Sequence, residues 1–125
     1  MYDIKSYIEA GTIKEAIELL KNNENAQIIA GGTDILIKAR EGKKGYTQRD
    51  LIGITRIKEL TEITVEENGT LSIGAANSFT RVEEHPFIKE KLPSLSAAVG
   101  SVGGPQVRNM GTIGGNICNG ATSGD

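Results

Sequence analysis

Two short glycine-rich stretches carry the residue types that could do chemistry: Gln27-Ile28-Ile29-Ala30-Gly31-Gly32-Thr33-Asp34 and Gly111-Thr112-Ile113-Gly114-Gly115-Asn116. In the first, an apolar run that reads as a short buried strand passes into Ile35-Leu36-Ile37-Lys38, the start of a helix, through Gly31 to Asp34 alone. A strand that enters a helix through two glycines leaves the first backbone N–H groups unpaired and pointing at one place. The positive end of the helix dipole lies behind them, and that geometry suits a phosphate. The competing explanation is a tight turn with Thr33 or Asp34 as an N-cap. The P-loop pattern G-x-x-x-x-G-K-[ST] and the Rossmann fingerprint G-x-G-x-x-G do not occur, so a nucleotide would be held in another way.

The second stretch repeats the chemistry of the first. It sets paired glycines beside a threonine hydroxyl and one polar side chain, so two backbone nests could grip the two phosphates of a dinucleotide from opposite sides. The stretches lie about 80 residues apart, and a ligand in a crevice between two segments accounts for both. In that case their amides face a common cleft, and the loops lie within roughly 12 Å of each other.

The elements that must position these loops fall into two segments, residues 1–55 and 56–125. Thr12-Ile13-Lys14-Glu15 matches a capping box, with Ile13, Ala16, Ile17 and Leu20 at helical spacing, and predicts a helix over 13–22. A strand over 27–30, a helix over 33–40 and an apolar strand near Leu51-Ile52 complete an alternating pattern that favours a small parallel sheet covered by helices. In the second segment, Ile63-Thr64-Val65 and Leu71-Ser72-Ile73 flank Asn68-Gly69, a hairpin signal that calls for a type I′ turn with φ > 0 at both central residues. Thr80-Arg81-Val82-Glu83 matches another capping box, and Pro86, Pro93 and Pro105 stand where helices could begin. The expected fold class is therefore α+β.

Composition narrows the function. A 125-residue chain with 38% hydrophobic and 24% charged residues is ordinary for a globular domain. A net charge of −2 and 4% aromatic residues argue against nucleic acid or an anionic membrane as partner. Cys118 is the sole cysteine, no segment approaches the roughly 20 apolar residues of a membrane span, and the N-terminus lacks a signal-peptide pattern, which together point to a reducing cytoplasm. Eight of the 16 glycines fall in the last 26 residues, where a domain would ordinarily be closing, so the chain reads as the N-terminal part of a longer protein.

In combination, AGGTD at 30–34, IGAANSFT at 73–80, GGPQVRNMGTIGGNICNGATSGD at 103–125 and the opening MYDIKSYIEAGTIKEAIELL closely resemble the FAD-binding subunit of molybdenum hydroxylases of the xanthine dehydrogenase family. The resemblance implies the FAD-binding fold of the vanillyl-alcohol oxidase type: a small α/β subdomain followed by the start of a subdomain of antiparallel sheet and helices, here incomplete. It implies that Gln27 to Asp34 wrap the FAD pyrophosphate, that Gly111 to Asn116 close on it and on the ribityl chain, and that Asp125 contacts the flavin side. It also implies a complex in which a molybdopterin subunit oxidises a purine or related heterocycle, a 2Fe-2S subunit relays electrons to FAD, and FAD reduces NAD.

Physical roles can be attached to those positions. Ala30, Gly31 and Gly32 would present amides without obstructing side chains, and the Thr33 and Thr112 hydroxyls could donate to phosphate oxygens. Asp34 would repel a diphosphate, so its expected task is to accept from backbone amides and hold the loop, with a ribose contact as the alternative use. Asn116 suits an orienting contact. No general acid or base is evident, consistent with a flavin carrying the chemistry. The rival reading is a fragment that keeps the fold and catalyses nothing because it does not retain flavin; a flavoenzyme with its own substrate pocket is a third. His85 reads as a surface helix end, Cys118 as a structural thiol and Arg40 to Lys44 as a solvated loop. The Asn68-Gly69-Thr70 sequon is explained by its turn. Arg108 could meet a phosphate or pair with an acidic neighbour.

Overall fold

The computed structural model describes residues 3–121. Its first half is built on a three-stranded parallel sheet of β1 (Ile4–Glu9), β2 (Ala26–Ile29) and β3 (Arg49–Gly53), in the order β1-β3-β2. β3 is central, and its Leu51 and Ile52 are each 2% exposed. β1 is an additional strand that sequence patterning does not signal. It lies at an edge with most of its residues exposed, so Ile4-Lys5-Ser6-Tyr7-Ile8-Glu9 carries no clean alternation, and its register slips between Ile4 and Ser6. Asp50 clamps the far end of the sheet. Its carboxylate accepts from Ser6 Oγ at 2.5 Å, Asn23 Nδ2 at 2.9 Å and Asn25 Nδ2 at 3.0 Å.

Helix α1 (Ile13–Lys21) begins where the capping residue predicts, with Glu15 N–H donating to Thr12 Oγ1 at 3.1 Å. The Glu15 carboxylate reaches back to the amide of Gly11. The helix contacts the sheet through Ala16 and Leu19, while Ile13, Ile17 and Leu20 of the expected apolar face stay substantially exposed. Helix α2 (Ile35–Arg40) starts two residues later than the spacing suggests and buries Ala39.

The second half opens with the hairpin of β4 (Ile63–Val65) and β5 (Leu71–Ile73), paired antiparallel. Its turn differs from the expected type I′. Only Gly69 has φ > 0, at +85°, and Asn68 does not. Gly69 N–H donates to Glu66 O at 2.9 Å and Glu66 N–H to Thr70 O at 2.8 Å, the pattern of a five-residue connection with one left-handed glycine rather than a two-residue turn. Helices α3 (Phe79–Glu84), α4 (Pro86–Lys91), α5 (Pro93–Gly100), α6 (Pro105–Met110) and α7 (Ile113–Asn119) follow. Each of the three prolines occupies a first helical turn, where its missing N–H costs nothing. The expected capping box at Thr80 is corrected: Ser78 caps α3, accepting from Arg81 N–H at 3.2 Å, and the Thr80 hydroxyl instead donates to Asn109 Oδ1 at 2.6 Å.

Two apolar clusters hold the chain. Ala10, Ala16, Ala26, Ile52 and Ile57 form one with Leu60 packed against it, so it continues past residue 55. Phe79, Val82, Ile88 and Val99 form the other, under the hairpin. The glycine loops lie where the two halves meet.

Candidate functional site

β2 ends at Ile29, and the chain turns through Gly31 and Gly32 into α2. Gly32 sits at φ +74°, a left-handed conformation that glycine adopts without steric cost. Gly31 has a different constraint. A Cβ built on it would collide with the carbonyl oxygen of Met110, 2.7 Å from that carbonyl carbon and 3.0 Å from Gly111 Cα. The backbone of the first loop therefore lies directly on that of the second. Neither Thr33 nor Asp34 caps the helix with its side chain. The N–H groups of Gly31, Gly32, Thr33 and Asp34 donate to no acceptor among the described residues. At six residues, α2 has only a small dipole, so it is these free amides that make the loop a suitable anion cradle.

The second loop departs from the expectation of a matching nest. Ile113 N–H donates to Asn77 O at 3.1 Å, Gly114 N–H to Ala75 O at 2.9 Å, Gly115 N–H to Thr112 Oγ1 at 3.0 Å and Asn116 N–H to Thr112 O at 3.0 Å. Every amide from Ile113 to Asn116 is thus satisfied within the protein. Thr112 is 4% exposed and serves as the N-cap of α7. The glycines here make room for packing: a Cβ on Gly114 would stand 2.7 Å from the Cβ and carbonyl oxygen of Ala75, and one on Gly111 would stand 2.8 Å from the Phe79 ring. A bridge between Ser78 and Thr112, with Phe79 N–H donating to Gly111 O at 3.1 Å, fastens this loop to the 73–80 stretch.

Both loops wall one cleft of about 510 Å³, a volume in the range of small-molecule and cofactor pockets. Of the residues singled out from the sequence, Gln27, Ile28, Ala30 to Asp34, Gly111, Thr112 and Gly114 to Asn116 line it. Ile29 and Ile113 do not; Ile29 is 5% exposed and packs beneath Gly32. Asp125 lies outside the described residues. Sequence reasoning did not assign Ile35, Lys38, Tyr46, Ile54, Ala75, Phe79, Val102, Val107, Cys118 and Asn119 to the site, and they complete the wall. Lys38 stood one helical turn from Asp34, and Ala75, Phe79, Val107, Cys118 and Asn119 lie inside the 73–80 and 103–125 motifs, whereas Tyr46 and Ile54 carried no signal.

Among the described residues Asp34 accepts from no backbone amide. Its carboxylate pairs instead with Lys38 Nζ at 2.5 Å, and this hydrogen bond raises the Lys38 pKa above its ordinary value. Arg108 does neither of the two things expected of it among the described residues: its guanidinium donates to the Val102 and Gly103 carbonyls at 3.1 and 2.6 Å. His85 joins α3 to α4 and takes no part in the cleft. Among the described residues there is no cluster of histidine, cysteine and carboxylate groups that could hold a metal, and no helix is long and apolar enough to cross a membrane.

A parallel α/β half and a hairpin-and-helix half, meeting at a neutral, glycine-walled cleft with free amides on one side, define a cofactor-binding module of mixed helix and sheet. The chain belongs to a family described as the FAD binding domain in molybdopterin dehydrogenase, whose model matches residues 2–125. It is 46% identical over 125 residues to a xanthine dehydrogenase FAD-binding subunit of Escherichia coli O157:H7, covering 100% of this chain and 42% of the relative. It is 44% identical over 117 residues to the nicotinate dehydrogenase FAD-subunit of Eubacterium barkeri, covering 91% and 38%. A solved carbon monoxide dehydrogenase from Hydrogenophaga pseudoflava superposes with a TM-score of 0.91 at 33% identity, covering 100% of this chain and 43% of that one. The fold is thus that of the FAD-binding component of these enzymes, and the chain spans about two-fifths of the length of the curated relatives it matches.

Proposed function

We propose that the chain is the FAD-binding, electron-transfer part of a xanthine dehydrogenase-like molybdenum hydroxylase, with the cofactor's diphosphate seated on the amides of Gly31 to Asp34. One observation carries the placement: these amides have no partner among the described residues, and they open into the shared cleft. The fit is chemical as well as spatial. The cradle offers backbone donors with no acceptor of their own among the described residues, and the exposed Thr33 hydroxyl adds a donor beside them. Ile28, Ile54, Phe79, Val102 and Val107 supply an apolar wall, and Asn116 a polar contact that can orient a ribityl chain or a ring edge. Ile29 acts from beneath as a support, Ile113 anchors the start of α7 through its amide on Asn77 O, and Asp125 remains a proposed contact on the flavin side.

Bound FAD would supply the electron transfer, while these residues bind it, orient it and keep water from its phosphates. In the reading we favour, a partner subunit with molybdopterin oxidises a purine or related heterocycle, 2Fe-2S clusters on a second partner deliver electrons, NAD accepts them, and the complex works in the cytoplasm. A second reading has one observation in its favour. Because the second loop keeps its own amides, only one loop grips the diphosphate through backbone, and a chain with this single grip holds flavin weakly.

Amide-resolved NMR titration with FAD tests the placement. The expected result is large shifts at Gly31, Gly32 and Thr33 and smaller ones at Gly114 to Asn116, together with loss of flavin from the isolated chain on gel filtration. Shifts confined to the second loop would overturn the placement. Stoichiometric yellow flavin surviving filtration would overturn the weak-retention reading.

A further inference from the structure

Lys38 has three ammonium hydrogens and three partners on three different elements. Its Nζ lies 2.5 Å from Asp34 Oδ2 on its own helix, 3.3 Å from Asn119 Oδ1 at the end of α7 and 4.9 Å from the centre of the Tyr46 ring, on the loop after α2. The side chain is only 21% exposed. Among the described residues lining the cleft, Asp34 and Lys38 are the charged ones. A diphosphate brought to the neighbouring amides would meet the Asp34 carboxylate, and at a few ångströms two such charges repel strongly unless one is cancelled.

Resting on the function proposed above, we infer that Lys38 is the positioning residue of the diphosphate cleft: it neutralises Asp34 and, through Asn119, ties α2 to α7 across the cleft. Direct contact with the phosphate is not its task. Its donors are already engaged by a carboxylate, an amide oxygen and a ring face, and a Lys ammonium has no fourth. The free backbone amides remain the phosphate ligands. Lys38 makes the space in front of them electrically neutral, and Tyr46 holds the ammonium from behind.

The test is a charge cycle on the full 125-residue chain, with FAD affinity followed by NMR shift of the Gly31 to Thr33 amides and folding checked by circular dichroism. Lys38→Met should weaken FAD about tenfold at low salt, and the loss should shrink in concentrated salt, where exposed charges are screened. Asp34→Asn should bind FAD as tightly as the parent or more tightly. In the Asp34→Asn background, Lys38→Met should cost no more than about threefold, because no charge is left to cancel. Lys38→Arg, which keeps the charge, should stay within about threefold of the parent.

A double variant as weak as Lys38→Met would mean that Lys38 meets the phosphate itself or acts only through packing, and the inference would fall. A tenfold loss in Asp34→Asn alone would sink it as well, and that variant stands even if Lys38→Met does not fold. If the parent chain binds FAD and Lys38→Met binds equally well, only the role of Lys38 is lost. If the parent shows no shift at Gly31 to Thr33, the function proposed above falls, and this inference falls with it.

Discussion

The two glycine loops look alike as sequence and differ as chemistry. From Gly31 to Asp34 the amides are free, and from Ile113 to Asn116 each has a partner inside the fold. The first loop enters a helix whose leading amides have no carbonyl one turn earlier to accept from them, and neither Thr33 nor Asp34 folds back to cap an amide. The second is bridged to the 73–80 stretch, whose Ala75 and Asn77 carbonyls reach it first. Paired glycines thus serve two ends: in one loop they bare donors to a ligand, in the other they let two backbones and an aromatic ring come close. Which end is served depends on the carbonyls packed nearby.

The largest effect that would break this contrast lies where the loops touch. Gly31→Ala puts a methyl against the Met110 carbonyl, and the obstacle is backbone, which cannot rotate away. Overpacking costs about 1 to 3 kcal/mol, and against backbone the upper end is expected. The expected outcome is a lower urea midpoint together with loss of the FAD-induced amide shifts. A Gly31→Ala chain of parental stability would mean that the loops do not rest on each other.

Gly32→Ala should cost less, about 1 to 2 kcal/mol, chiefly from holding a non-glycine residue at φ +74°. The nearest atoms to its added methyl are the flexible ends of Ile29 and Leu36, each at 3.0 Å, and they can yield. Gly32→Asn should recover part of the loss, since Asn tolerates the left-handed region. This ranking reverses an expectation based on the ligand alone, in which Gly32 matters because a phosphate would meet its Cβ.

A pair of threonine variants separates the two roles more finely. Thr112→Val removes a cap that is hydrogen-bonded to Gly115 N–H and should lower stability by about 1 kcal/mol, with FAD shifts at Gly31 to Thr33 retained. Thr33→Val removes an exposed hydroxyl with no partner among the described residues; it should leave the urea midpoint unchanged and weaken FAD a few-fold. Equal behaviour of the two in both assays would erase the distinction between a packing loop and a binding loop.

Local signals were legible where local chemistry decides the outcome. Thr12, the three helix-starting prolines, the hairpin strands and the strand-to-glycine join all follow from propensities acting within a few residues. Legibility failed where a distant partner wins. Ser78 took the cap that Thr80 seemed to own because the Thr80 hydroxyl is used by Asn109, 29 residues away. Gly115 and Asn116 donate to Thr112 within their own loop, but the Ile113 and Gly114 amides depend on carbonyls more than 35 residues upstream, and no spacing rule reports that. β1 escaped because an edge strand need bury little. Asp34 and Lys38 stood at i, i+4 spacing from the start, whereas Tyr46 and Asn119 join them only through the fold.

The smallest effect belongs to a site remote from both loops and serves as their control. The Asp50 carboxyl is lowered from 3.8 to about 2, first by the Ser6 hydroxyl and then by the Asn23 and Asn25 amides that donate to it. A group whose folded pKa lies below its unfolded one contributes stability that is complete above the unfolded value, and that contribution is lost as pH falls through the folded value. For Asp50 the window runs from about pH 4 down to about pH 2. Asp50→Asn should therefore flatten the acid limb of a melting-temperature profile in that window, because the neutral side chain no longer gains from being ionised. At neutral pH the variant should be less stable than the parent by a smaller margin than Thr112→Val, since the clamp is solvent-accessible and screened. Its FAD-induced shifts at Gly31 to Thr33 should match the parent's. A change in those shifts would mean that the sheet end and the cleft are coupled through β3, and the first loop could then no longer be treated as a local unit.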